Sequence, residues 1–295
     1  MTETSGEHSP QIQTYSLTAT DNTNIPFELS ELTGMSQTRI KTAMSCGAVW
    51  RKHNDSLQRI RRANVKVAPG DEIIFHFNAN ALAAKSFVPE LIANETDFSV
   101  WCKPSGMTVS GSRYADHTSL KRWVEVNQRS GNTVFIVHRL DRFTLGLIVV
   151  AHNKNTAADL SRQFRERSVS KRYHAICHGK WKSVWGNAQT ITTPIDGKSA
   201  TTHIQRLDGN EEFSLLEISI DTGRRHQIRR HLAEQGYPVV GDRLYGKASP
   251  TDESAQKPDL DLQLRATGLA FQSPTGDRLN FELDGDRWPQ LADQQ

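Results

Sequence analysis

VFIVHRLDRFTLGLIVVA, residues Val134 to Ala151, sets a charged segment between two apolar, β-branched runs. Val134 to Val137 and Gly146 to Ala151 have the composition of strands, so the stretch reads as strand, loop, strand. At the loop, Asp141 stands between Arg139 and Arg142. A charged loop on a rigid scaffold is a common place for catalytic groups. An isolated Asp beside arginines is also a common structural bridge. On this stretch alone both readings stay open.

Working outward, the 295 residues suffice for one large domain and a small one. The net charge of +3 says little about partners, but its distribution says more. Between Ser36 and Lys66 stand Arg39, Lys41, Arg51, Lys52, Arg59, Arg61, Arg62 and Lys66 against a single acid, Asp55. Such a patch suits phosphates, and equally a solvated face. The three cysteines, Cys46, Cys102 and Cys177, are scattered and form no C-x-x-C pair. That pattern argues against a disulfide framework and a thiolate zinc site, and fits a reducing cytosol. MTETSGEHSPQ at the start lacks the apolar segment of a secretory signal. The longest apolar run, Leu147 to Ala151, is far below the ~20 residues of a membrane span. A cytoplasmic, monomeric protein without membrane contact is the expectation.

Residues 1–26 read as a flexible polar segment and 27–80 as a compact module. Ser36 is a plausible helix cap, with Ile40, Ala43 and Met44 on one helical face and Gly47 as the stop. Ala48-Val49-Trp50 begins a strand, Pro69-Gly70-Asp71 is a turn, and Glu72 to Phe77 is a further strand. Asn78 to Ser86, NANALAAKS, is a small, polar run suited to a linker, placed at residues 81–90, and 91–290 form the second domain. There, Asn153 to Arg167 reads as an amphipathic helix and the acid-rich Thr251 to Leu262 as an exposed loop.

Cations at a helix N-terminus oppose its dipole by ~0.3–1 kcal/mol each at exposed sites. Thr222-Gly223-Arg224-Arg225-His226-Gln227-Ile228-Arg229-Arg230-His231 puts arginines at such a point, which suggests phosphate contact or a carboxylate partner. Metal sites are not indicated. His174 and His178 would lie ~13 Å apart on a strand. His226 and His231 lack an H-E-x-x-H frame. No Walker A or G-x-G-x-x-G is present, so no nucleotide cofactor is expected.

Four segments in order, K-P-S-G at Lys103 to Gly106, H-R-L-D at His138 to Asp141, K-R-Y at Lys171 to Tyr173 and the T-G-R-R-H-Q-I-R run, resemble the RluA-type RNA pseudouridine synthases. The first module resembles the αL-type RNA-binding module of ribosome-associated proteins. The resemblance implies an α+β fold: a mixed, largely antiparallel sheet with flanking helices, plus a small N-terminal α/β RNA-binding module. It implies Asp141 as the catalytic carboxylate, attacking the anomeric carbon or deprotonating the 2′ carbon, with no cofactor. Tyr173 would lie beside the target base, and Arg224 would ion-pair with Asp141. Arg225 and Arg229 would contact phosphates, Arg139 would fill the space left by a flipped base, and Arg142 would join the RNA surface. In the module, Arg39, Lys41, Arg51, Lys52, Arg61 and Arg62 would bind RNA, rRNA ahead of tRNA. Leu145 and Arg225 depart from the family pattern, as does a missing histidine in Arg265 to Phe271. A non-catalytic RNA-binding protein and a base-releasing glycosylase are the rival classes.

Overall fold

The computed structural model describes residues 12–21, 23–182, 188–246, 261–287 and 289–290. The acid-rich loop expected from Thr251 falls mostly outside them, at 251–260. The chain divides into two compact units, residues 1–86 with 110–128, and 87–109 with 129–295. Segment 110–128 belongs to the first unit although reading along the chain gives it to the second domain.

The first unit contains β1 (Ile12–Thr18), α1 (Ile25–Thr33), α2 (Gln37–Ser45), β2 (Val49–His53), β3 (Ser56–Arg59), β4 (Glu72–Asn78), α3 (Ala79–Ala83) and α4 (Leu120–Asn127). Ser36 caps α2 as its sequence predicts, accepting the Arg39 N–H at 3.3 Å. Ile40, Ala43 and Met44 then face a core with Leu29, Val49, Ile73 and Phe75. The strands pair antiparallel in the order β1-β4-β2-β3.

Two expectations are corrected here. Ile12–Thr18, expected to be flexible, is a strand along β4, with Tyr15 and Leu17 packed against the core. The expected linker begins in α3, whose Asn78 cap and alanines favour a helical turn.

The second unit contains β5 (Glu90–Asn94), β6 (Phe98–Lys103), β7 (Phe135–Ile136), β8 (Leu145–Ala151), α5 (Lys154–Arg165), β9 (Ser170–His178), β10 (Gln189–Ile191), β11 (Thr202–Gly209), β12 (Phe213–Ile220), α6 (Gln227–Glu234), β13 (Leu264–Gln272) and β14 (Arg278–Glu282). Its sheet runs β10-β11-β12-β9-β13-β8-β6-β5, with β14 on β13 and β7 on β8. Among the described pairings only β8–β13 is parallel. The α+β class with a mixed, largely antiparallel sheet is therefore the observed one.

The apolar run of β8 is buried on both faces, as an interior strand requires. Gly146 permits its approach to β13: a Cβ there would meet the Ala266 carbonyl oxygen at 2.2 Å. That contact sits at the β13 side of β8, directly after the Asp141 loop.

Candidate active site

Asp141 lies in the segment joining β7 to β8, closed by a turn in which Thr144 N–H donates to the Asp141 carbonyl at 3.2 Å. His138 anchors this segment rather than acting in it. Its Nε2 accepts the Val149 N–H at 3.0 Å, and its ring stacks on Phe164 at 4.4 Å. That bond requires an unprotonated Nε2, and desolvation, then Lys171, lowers the proton affinity of the ring.

Lys103, at the end of β6, holds the other side of the loop. It is fully buried, and its Nζ donates to the carbonyls of Pro104 (3.0 Å), Met107 (2.9 Å) and Arg142 (3.0 Å). Burial lowers its pKa to about 7, with the negative charge of Asp141 acting the other way. Arg142 Nε in turn donates to the Gly106 carbonyl at 3.0 Å, and Ser105 Oγ to that of Phe143 at 3.1 Å. The K-P-S-G turn and the Asp141 loop are thus stitched together at three backbone carbonyls, those of Arg142, Gly106 and Phe143.

The carboxylate of Asp141 meets α6. Its Oδ2 is 3.4 Å from Arg229 Nη1, and its Oδ1 is 3.9 Å from His226 Nε2. Arg229 is held from behind by Asp242, whose two oxygens accept from Nε and Nη2 at 2.7 Å each. The same carboxylate accepts the N–H groups of Leu244 and Tyr245 at 3.0 and 3.1 Å. Burial works against ionisation of Asp242, and the hydrogen bonds and charge of Arg229 overcome it, so its pKa lies below the ordinary carboxylate range. Tyr245 completes the cluster, with its ring 5.2 Å from the Arg229 guanidinium carbon.

A cavity of about 180 Å³ opens on this cluster. Asp141, Arg229 and His226 belong to its polar part together with Arg142, Arg243 and Asp261, and Phe143, Leu244 and Leu262 are its apolar walls. Phe143 and Leu244 keep 41% and 62% of their surface exposed, so both apolar side chains of this cavity face solvent. Tyr173 is not on its wall. It is buried in β9, and its phenol pKa is pushed up by burial and then by Asp141.

These contacts correct several sequence expectations. Arg229, assigned to phosphates, is the arginine at Asp141; Arg224 instead donates from Nε to the Ser199 carbonyl at 3.0 Å. The reason is geometric: Arg229 lies on the buried face of α6 with Ile228 and Leu232, whereas Arg224 precedes the helix. Arg139 and Arg225 are exposed, as phosphate contacts require, while Arg142 is partly engaged within its loop.

In the first unit, Arg61 is not a free phosphate ligand. It forks onto Asp116, with Nη1–Oδ1 at 2.7 Å, and Arg59 Nε reaches the same carboxylate at 3.3 Å. Arg51 and Lys52 pair with Asp71 at 3.7 Å and Glu72 at 3.6 Å, and Arg39 lies over Phe77 at 5.0 Å. Lys41 and Arg62 are exposed. Sequence reasoning missed Lys103 and His226 as site residues, although each sits in a segment that it singled out, and it missed Asp242.

Comparison with known proteins identifies the family. Residues 97–234 match the RNA pseudouridylate synthase family. An uncharacterized RNA pseudouridine synthase of Aquifex aeolicus is 33% identical over 77% of this chain and 80% of its own. Bacillus subtilis YlyB, also an uncharacterized RNA pseudouridine synthase, is 31% identical over 75% and 78%. A ribosomal large subunit pseudouridine synthase D of Nitrosomonas europaea is 41% identical over 41% of this chain and 38% of its own. The fold resembles human RNA pseudouridylate synthase domain containing 1, with a TM-score of 0.58 over 70% of this chain and 88% of that one at 23% identity. The chain belongs to the RNA pseudouridine synthase family, enzymes that isomerise uridine within RNA.

Proposed function

We propose that Asp141 is the catalytic carboxylate and that the substrate is a uridine in structured ribosomal RNA. The observation that carries this reading is a carboxylate at a base-sized cavity, gripped at one oxygen by an arginine whose other side is fixed by a buried acid. In the isomerisation the N1–C1′ bond breaks, the C5–C1′ bond forms, C5 loses a proton and N1 gains one. No oxidant or group donor enters that balance. A carboxylate can trap C1′ or take the 2′ proton, and both routes use the same placement of Asp141.

The extruded uracil would lie between Phe143 and Leu244; stacking on an aromatic ring contributes ~1–3 kcal/mol. Tyr173, with its raised pKa, keeps its proton and acts as a donor or as packing beside Asp141 rather than as the base at C5. Arg139 and Arg225, both exposed, would meet the RNA around the flipped nucleotide.

Ribosomal RNA is favoured by the names of two relatives, the ribosomal large subunit synthases C of Vibrio parahaemolyticus and D of Nitrosomonas europaea. Mapping pseudouridine in RNA from cells lacking the protein tests the assignment. Loss at rRNA positions is expected. Loss confined to tRNA would move the substrate, and unchanged modification in both pools would remove the function.

The first unit would bind RNA through Arg39, Lys41, Arg51, Lys52 and Arg62. Lys41→Ala and Arg62→Ala should each weaken binding and lower the slope of log K against log salt by about 1. Arg61→Ala should instead destabilise the unit by ~1 kcal/mol, because Asp116 loses its fork while keeping Arg59. A reversed pattern in salt titrations and melting curves would contradict these roles. Point substitutions are the right probe here, since truncation before residue 80 also strips Asp116 and Ser112 of partners on Arg59 and Arg61.

A further inference from the structure

His226 occupies a backbone conformation that its side chain does not favour. At φ 53 and ψ 30 it lies in the left-handed region, immediately before α6, and its side chain caps no helix N–H. Glycine or asparagine adopts that conformation more readily, and strained positions of this kind gather at functional sites. The imidazole is buried to 14% side-chain exposure and addresses a group with each nitrogen. Nδ1 is 3.0 Å from the Tyr245 hydroxyl, and Nε2 is 3.9 Å from Asp141 Oδ1. The Tyr245 ring stands edge-on to the imidazole at 5.7 Å, and its N–H is tied to Asp242. The two arms behind Asp141, Asp242–Arg229 and Tyr245–His226, therefore spring from one turn, residues 241–246.

We propose that His226 is a positioning residue for the isomerisation: Tyr245 donates to Nδ1, fixes the proton on Nε2, and so presents an N–H toward Asp141 Oδ1. This rests on Asp141 being the catalytic carboxylate. Arg229 takes Oδ2, which leaves Oδ1 as the oxygen free to react. At 3.9 Å the His226 N–H is one small shift, or one bridging water, from Oδ1 and sets the direction in which that oxygen faces.

The charges around the ring support a neutral imidazole. They are Asp141 on the β7–β8 loop, Arg229 on α6, Arg225 just before it, and Asp242 with Tyr245 on the following turn. Burial lowers the proton affinity of the ring, Asp141 raises it, and Arg229 and Arg225 lower it again; the net direction is down. A second proton would turn Nδ1 into a donor, break the Tyr245 arrangement and place another cation at Asp141. Activity should then fall on the acid side.

The test compares His226→Gln with His226→Asn in single-turnover assays from about pH 5 to 8, with RNA affinity measured alongside. A glutamine amide nitrogen reaches the place of Nε2, and an asparagine amide nitrogen that of Nδ1. Asparagine is also the better residue for a positive φ, so stability and chemistry are expected to move in opposite directions. The Gln variant should lose less than about 10-fold and the Asn variant on the order of 10²-fold, with RNA affinity unchanged. The acid fall should vanish in the Gln variant. An Asn variant as fast as Gln, or an unchanged acid limb in Gln, overturns the proposal.

Tyr245→Phe leaves residue 226 in place and answers the question separately should the Gln variant not fold. A shifted acid limb is expected, and an unshifted one overturns the tautomer assignment. Asp141→Asn in the same series should be inactive. Activity there would overturn the reading of Asp141 itself.

Discussion

Arg229→Lys is expected to slow the chemical step by on the order of 10²-fold or more while leaving RNA affinity within about 3-fold of wild type. Lysine keeps the charge but lacks the planar fork that lets one group serve two carboxylates. In the native site the guanidinium gives Nε and Nη2 to Asp242 and Nη1 to Asp141. A lysine ammonium that stays with the buried Asp242 leaves Asp141 without its partner. Arg229→Ala goes further, since a buried carboxylate with no counter-charge costs about 3–5 kcal/mol of stability. Arg224→Ala should change turnover little by comparison, because its Nε is spent on the Ser199 carbonyl. Single-turnover rates for the three variants check this. A larger kinetic loss in Arg224→Ala than in Arg229→Lys would return the ion-pair role to Arg224.

Lys103→Met is the second large effect. The substitution removes the donor shared by the Pro104, Met107 and Arg142 carbonyls and frees the loop that carries Asp141. Displacement of a reacting group by about 1 Å can cost on the order of 10²-fold in rate, and a loss of that size is expected.

The pH dependence follows from a folded-state pKa of about 7, below the ordinary 10.5. Between those values the unfolded chain holds a proton that the fold has released, so this residue's contribution to stability rises with pH across that window. Activity should move the other way. A neutral amine has two N–H groups for three carbonyls, so turnover falls above about pH 7. In Lys103→Met the stability rise disappears. Melting temperatures and rates across that range check both signs; a Met variant with wild-type turnover would show that the loop needs no such anchor.

What was legible in the sequence came from local rules. Ser36 caps α2, the helix read from Asn153 is α5, the run from Gly146 is a strand, and the T-G turn leads into a helix. Motif order pointed to Asp141. Pairings across distance were not legible. Arg59 and Arg61 read as patch until Asp116, brought in by the 110–128 segment, claims them. Within one short run, Arg224, Arg225, Arg229 and Arg230 are chemically equivalent, and only their position before α6 or on one of its faces separates them. A usable signal existed there. Ile228 and Leu232 mark the buried face, Arg229 flanks it, and a buried arginine needs a buried acid such as Asp242. Alternation at Tyr15 and Leu17 likewise marked β1 within a polar segment.

The measurement that tests the account most directly is tritium release from RNA labelled at uracil C5, comparing wild type with Asp141→Asn at equal RNA occupancy. Wild type should release tritium, Asp141→Asn none, and the uracil should stay in the polymer. Release by the Asn variant at the wild-type rate, or free base among the products, would contradict it.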